Sequence, residues 1–223
     1  HQITDEVDTV VLCNPNNPTG RLIEPELLEK VAEQCQKTNT FLFLDECFLD
    51  FMEDGNERSM KKKLADNSSL LILKAFTKMY GIPGLRLGYC LCSDKELIEK
   101  MRFASQSWAV SVPAQAAGVA ALAETKFVEN TIQLIKQEQH YLLSELRNIG
   151  IPCYPPSANY IFFKEEQGIY ERLLKKGILI RSCHNYPGLE HGYFRIAIKS
   201  HEENEKLIQA IREVIKEGSI WQR

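Results

Sequence analysis

Apolar residues arrive in this chain as short unbroken runs, separated by polar clusters rich in Asn, Pro and Gly. Residues 7–13 (VDTVVLC), 41–44 (FLFL), 70–73 (LLIL) and 85–92 (LRLGYCLC) are such runs, and each predicts a strand. They lack the polar/apolar alternation of a half-exposed strand, so burial on both faces is expected. Residues 24–37 instead have helical spacing, with Pro25 in the first turn. Strands of this kind alternating with helices predict an α/β fold with a mostly parallel sheet flanked by helices. In such sheets ligands bind beyond the carboxyl ends of the strands. The polar clusters fall there: residues 14–20 (NPNNPTG) after the first strand, Asp45 after the second and Lys78 after the third.

From Asp94 the pattern changes. Residues 94–105 and 113–146 predict helices, the second broken near Glu124–Thr125. There follow short runs at 151–154, 159–164, 178–181 and 193–198, with helices at 168–176 and 202–216. This is the pattern of a small α+β domain. Residues 1–110 are read as part of a large domain, and residues 111–223 as an interdomain helix with a small C-terminal domain. Trp108 and the apolar residues 109–112 are assigned to the core in preference to a subunit interface.

Composition narrows the function classes. Lys+Arg total 27 against Asp+Glu 30, a net charge of −3, so no basic excess points to nucleic acid or an anionic membrane surface. No apolar run approaches the roughly 20 residues that span a bilayer. The opening HQITDEVD is polar and acidic, unlike a signal peptide, and lacks a starting Met, so further residues are expected upstream. Seven cysteines, an odd number without any C-x-x-C spacing, fit reduced thiols in a cytoplasmic protein better than a disulfide framework or a metal site.

Three segments in order, NPNNPTG at 14–20, LDECF at 44–48 and TKMYGIPGLRLGY at 77–89, resemble the aminotransferase-type (fold type I) enzymes that use pyridoxal 5′-phosphate. The match runs over nearly the whole chain. The resemblance places the Schiff-base lysine at Lys78, in apolar, Gly- and Pro-rich surroundings unlike the solvated run Lys61–Lys63. It implies that Asp45 faces the pyridine nitrogen and keeps it protonated, although an Asp after a strand also suits a cap. Asn17 would meet the phenolic oxygen of the cofactor, and also fits an Asx turn before Pro18. Arg86 would hold the cofactor phosphate, and Thr77 counts among the cofactor contacts. Arg195, in YFRIAI, matches the arginine that grips the substrate α-carboxylate. Arg181, in ILIRSC, suits a second anionic group, and Asn159, in SANYIFF, a position that lines the substrate site. Glu46 and Asp50 are read as structural.

Two departures stand out. Phe48 occupies a position where the family often has Tyr, and Ala75 one where it often has Ser, so two cofactor contacts are expected to be missing. The family's N-terminal segment also supplies a phosphate-cradling loop and an aromatic ring that this sequence does not contain. Residues 178–211, 69–89 and 156–163 look close to threonine-phosphate decarboxylases of cobalamin biosynthesis, and also to the related histidinol-phosphate aminotransferases. The decarboxylation of O-phospho-L-threonine is the favoured reading, with the aminotransferase as its alternative. A catalytically silent binding module is disfavoured because Lys78 and Asp45 are both present. A homodimer acting on a phosphorylated amino acid is implied by the resemblance.

Overall fold

The computed structural model describes residues 2–165 and 168–220. In chain order the elements are β1 (Thr9–Cys13), α1 (Pro25–Lys37), β2 (Phe41–Asp45), α2 (Gly55–Arg58), β3 (Leu70–Ala75), α3 (Phe76–Met79), β4 (Gly88–Leu91), α4 (Lys95–Ala104), α5 (Val112–Leu122), α6 (Thr125–Ile149), β5 (Tyr160–Lys164), α7 (Ile169–Lys175), β6 (Arg181–Ser182), β7 (Tyr193–Ala197) and α8 (His201–Ile220). Short 3-10 turns lie at Leu49–Phe51, Met60–Lys63 and Pro83–Leu85. Two compact units result. The first holds the residues up to Asn16 together with Leu22–Asn130; the second holds Asn17–Arg21 together with the residues from Thr131 onward.

The first unit is built on a sheet of order β1-β2-β3-β4. β1, β2 and β3 are parallel, and β4 is antiparallel to β3. Helix α1 begins with Pro25 in its first turn, where a missing N–H costs nothing. Its buried residues Leu28, Ala32 and Cys35 recur at helical spacing and pack against Leu42, Leu44, Leu70, Ile72 and Met60. Complete burial of one such aliphatic side chain stabilises the fold by about 1.5–3 kcal/mol.

The expectation of strands buried on both faces holds for β3 alone. Leu70, Leu71 and Ile72 are each at most 5% exposed, whereas Val11 on β1 is 68% exposed and Phe41 on β2 38%. The reason is that α1 covers the face carrying Val10, Leu12, Leu42 and Leu44, and β1 pairs along one edge only. Three strand boundaries also differ from the pattern. β4 starts at Gly88 rather than at residue 85, because Pro83–Leu85 form a 3-10 turn and Arg86 adopts a left-handed φ of 53°. The run 178–181 pairs only at Arg181–Ser182, since Gly177 (φ 76°) ends α7 and the Ile178 N–H closes that end on Leu173 O at 2.9 Å. Residues 151–154, interrupted by Pro152, contribute only the bridge Cys153–Phe163.

The break in the long helix falls between α5 and α6, beside Glu124, as the pattern predicts. Asp94 and Ser111 cap α4 and α5 with side-chain bonds to the N–H groups of Leu97 and Ala114. Trp108 is not in the core: it sits between α4 and α5 with φ 62° and is 93% exposed, because no described element covers that connection. In the second unit β5, β7 and β6 form an antiparallel sheet in that order. Ile161 and Phe163 on β5 are buried, as are Leu142 and Leu146 of α6, Ile169 and Leu173 of α7, and Ile211 of α8. All seven cysteines are free thiols. Among the described residues, no helix is long and apolar enough to cross a membrane.

Candidate active site

Asp45 closes β2, and Lys78 lies on α3 immediately after β3. Because β2 and β3 are parallel neighbours, both residues stand at the carboxyl end of the same sheet, where open α/β sheets bind ligands. Asp45 is half-buried. Its Oδ1 accepts the Cys47 N–H at 2.9 Å, and the carboxylate also engages the Cys47 thiol. Burial first, then the adjacent Asp45 carboxylate, pushes the Cys47 thiol up from its ordinary value. The Asp45 carbonyl accepts the Asn14 N–H at 2.9 Å, which fastens the start of the NPNNPTG segment to the end of β2.

Lys78 is exposed, makes no ion pair among the described residues, and holds its amine 5.2 Å from the centroid of the Phe48 ring. The ring is thus an aromatic floor for the amine, at the position where the sequence departs from Tyr. Thr77 precedes Lys78 on α3, and Ala75 ends β3. Arg86 is exposed and donates from Nη1 to Pro83 O at 3.1 Å, with its remaining N–H groups unpaired among the described residues.

The second unit assembles the other predicted residues. Arg195 donates from Nη1 to Asn17 Oδ1 at 2.6 Å and lies over the Tyr160 ring at 4.7 Å. The Tyr186 hydroxyl approaches the same oxygen of Asn17 at 3.5 Å. Arg181 is the cross-strand partner of Arg195 in the β6–β7 ladder, so the two side chains share one face. Arg181 donates to Asn185 Oδ1 at 3.2 Å and sits 6.0 Å from the Tyr186 ring. No carboxylate among the described residues pairs with either arginine. Asn159 stands just before β5 and is half-buried, its carbonyl accepting from Ile198 N at 3.0 Å. His184 is exposed, bonded to Ser182 Oγ at 2.8 Å and stacked on His191.

One polar cluster escaped the sequence reading. Lys74, 6% exposed on β3, reaches Asp50 at 2.7 Å and Glu46 at 3.3 Å. Glu46 is fully buried and also accepts from Ser59 Oγ at 2.6 Å and from Met60 N at 2.9 Å. The signal was available: a Lys inside LLILKA and a Glu inside FLFLDECF are costly unless paired.

A sheet that ends in a carboxylate and an amine without an ion pair among the described residues suits the class of enzymes built on the pyridoxal-phosphate aminotransferase fold. The family model described as Aminotransferase class I and II matches residues 1–211, and the chain belongs to that family. It is 39% identical over 217 residues to the threonine-phosphate decarboxylase of Salmonella typhimurium, covering 96% of this chain and 59% of that protein. It is 34% identical over 209 residues to histidinol-phosphate aminotransferase 2 of Archaeoglobus fulgidus, covering 92% and 58%. The crystal structure of the histidinol-phosphate aminotransferase from Clostridium acetobutylicum superposes with a TM-score of 0.90 at 33% identity, covering 94% of this chain and 64% of that one. The chain thus spans about three fifths of the length of these relatives.

The family's cofactor is pyridoxal 5′-phosphate, and the donor set fits it. An amine without a salt bridge among the described residues can link to an aldehyde, a half-buried carboxylate at a strand end can face a ring N–H, and a guanidinium with N–H groups unused among the described residues suits a phosphate.

Proposed function

We propose that the protein carrying this chain is a pyridoxal-phosphate-dependent decarboxylase of O-phospho-L-threonine. The observation that carries this reading is the pairing of Arg181 with Arg195. Like charges placed directly opposite each other on a sheet repel, so a face that holds both without a carboxylate partner suits a ligand with two anionic groups. A phosphorylated amino acid has them. Arg195, oriented by Asn17 and Tyr160, takes the α-carboxylate, and Arg181 takes the phosphate. Asn159 lines the substrate site beside them, and Asn17 also meets the phenolic oxygen of the cofactor.

When bound, pyridoxal phosphate supplies an electron-accepting ring for the bond broken at Cα. Asp45 holds the proton on the ring nitrogen. Arg86, with Thr77, holds the cofactor phosphate. Lys78 would be the residue that holds the cofactor, and its amine would move a proton to or from Cα. Arg195 sets the angle of the carboxylate and so selects the bond that breaks. Identity to a threonine-phosphate decarboxylase, 39% against 34% for the aminotransferase, favours loss of carbon dioxide. Placement in cobalamin biosynthesis and a cytoplasmic location go with that reading. A homodimer is supported by the exposed Phe103, Trp108, Val112 and Val119.

Similarity to two histidinol-phosphate aminotransferases supports a second reading, transamination of histidinol phosphate. The test is to supply the pyridoxal-loaded enzyme with O-phospho-L-threonine and follow carbon dioxide. Stoichiometric release upholds the decarboxylase. No release, together with amino transfer from histidinol phosphate to 2-oxoglutarate, replaces it with the aminotransferase.

A further inference from the structure

The apolar face of the first sheet ends in charges. Leu42, Leu44 and Glu46 alternate along β2 and just beyond it, as do Leu70, Ile72 and Lys74 on β3, and all six are buried. An ion pair at such a depth is a poor means of stabilisation, since apolar residues of similar volume often serve as well or better. What the pair does supply is registration. Glu46 follows Asp45 directly, and its side chain is tied to Ser59, Met60 and Lys74. Lys74 reaches on to Asp50 in the turn Leu49–Phe51. The residue before that turn, Phe48, forms the floor beneath the Lys78 amine.

We propose that Lys74 is a positioning residue of the cofactor site, holding the Asp45 end of β2 and the Phe48 turn in fixed relation to Lys78 through Glu46 and Asp50. This inference rests on the cofactor roles assigned above to Lys78 and Asp45. The titratable groups around the network are Glu46, Asp50 and Tyr89, the β4 partner of Lys74, with Tyr80 and Cys47 near Asp50. Burial alone would lower the Lys74 pKa, but Asp50 and Glu46 outweigh it and raise it, so Lys74 stays charged across the working pH range. The contact is therefore permanent rather than a switch. Its loss displaces the Phe48 floor, and with it the surroundings of the Lys78 amine.

The test uses the pyridoxal-loaded holoenzyme and three variants. Lys74→Met/Glu46→Gln removes the buried pair without changing net charge, and also cuts the Lys74 link to the part-exposed Asp50. Asp50→Ala cuts only the link to the Phe48 turn at a part-exposed site, and Asp50→Glu keeps its charge. The readouts are the pH midpoint of the lysine-linked cofactor's visible absorption, and kcat separately from KM. Displacement on the scale of an ångström lowers kcat by on the order of 10²-fold. The double variant and Asp50→Ala are expected to move the midpoint and lower kcat with KM little changed, while Asp50→Glu recovers part of both. Unchanged midpoint and kcat in the double variant overturn the proposal; if that variant does not fold, an unchanged midpoint in Asp50→Ala overturns it. Borohydride reduction of the wild type, with peptide mapping, separates the two levels. A label on Lys78 with unmoved midpoints sinks the positioning role alone, whereas a label on another lysine sinks the cofactor assignment beneath it.

Discussion

Arg195 donates to Asn17 Oδ1 at 2.6 Å, although 178 residues separate the two in sequence. The bond uses one arm of the guanidinium, and the Tyr160 ring supports its face at 4.7 Å. The remaining N–H groups are therefore presented in a fixed plane, which suits bidentate capture of a carboxylate.

Replacing that fork tests the carboxylate role. Arg195→Lys keeps the charge but loses both the stacking and the two-pronged geometry. Its kcat/KM is expected to fall by on the order of 10²-fold or more, since truncating one member of a buried charge pair costs about 2–5 kcal/mol. Asn17→Ala is expected to lose less, because Tyr160 still supports the ring of charge. Steady-state kinetics on both variants decide it; a Lys variant with wild-type kcat/KM removes Arg195 from the carboxylate site.

Arg181 is tested by comparing substrates. Arg181→Gln is expected to raise KM for O-phospho-L-threonine by roughly 10- to 100-fold, the equivalent of a charge-assisted bond of about 1.5–3 kcal/mol. KM for unphosphorylated threonine is expected to change little. Equal losses for the two substrates would show that Arg181 does not read the phosphate.

Lys78→Ala is expected to lower kcat by at least the roughly 10²- to 10⁴-fold that a positioned acid–base group supplies. It should also lose the borohydride-trapped cofactor. Near-wild-type turnover in this variant would remove Lys78 from the chemistry.

Gly88 opens β4 where a Cβ would lie 2.9 Å from the Lys74 carbonyl. Gly88→Ala must push two paired strands apart, at an expected cost of about 1–3 kcal/mol. Gly84→Ala, with nothing within 4 Å of its Cβ, is the control. Denaturant titration of the two variants should separate them clearly.

Cys153 links pH to stability. Burial pushes its thiol from 9.0 up to about 11, partly countered by Arg147. A raised folded-state value means that the contribution is complete below pH 9 and is lost as pH rises through about 11. The wild type is therefore expected to lose more stability between pH 8 and pH 11 than Cys153→Ala, as measured by urea midpoints at each pH. Parallel losses would contradict this.

The placement of two candidate site residues was legible because they are local to strand ends. Asp45 after FLFL and Lys78 after LLILKAF follow from the rule that polar residues at carboxyl ends of buried parallel strands face a ligand. The strand bounds at 85–92 and 178–181 were not legible. They depend on the left-handed Arg86 and on the closure of α7 by Ile178, which hydrophobicity does not encode. Trp108 was misjudged for a related reason: residue type gives an average burial, not the one made by the elements around a given loop.

The sequence by itself determined the layered α/β class, the order of the three motifs, and the identities of Asp45, Lys78 and Arg195 as chemical groups. Apolar periodicity and turn chemistry are local properties of a chain, so they survive in a linear reading. Only the tertiary structure decided that Arg181 and Arg195 oppose each other, that Asn17 engages Arg195, and that Lys74 is held between Glu46 and Asp50. Each of these pairings joins residues remote in sequence through strand register and burial. Register is set by the packing of whole elements, and a buried charge finds its partner only after those elements have met.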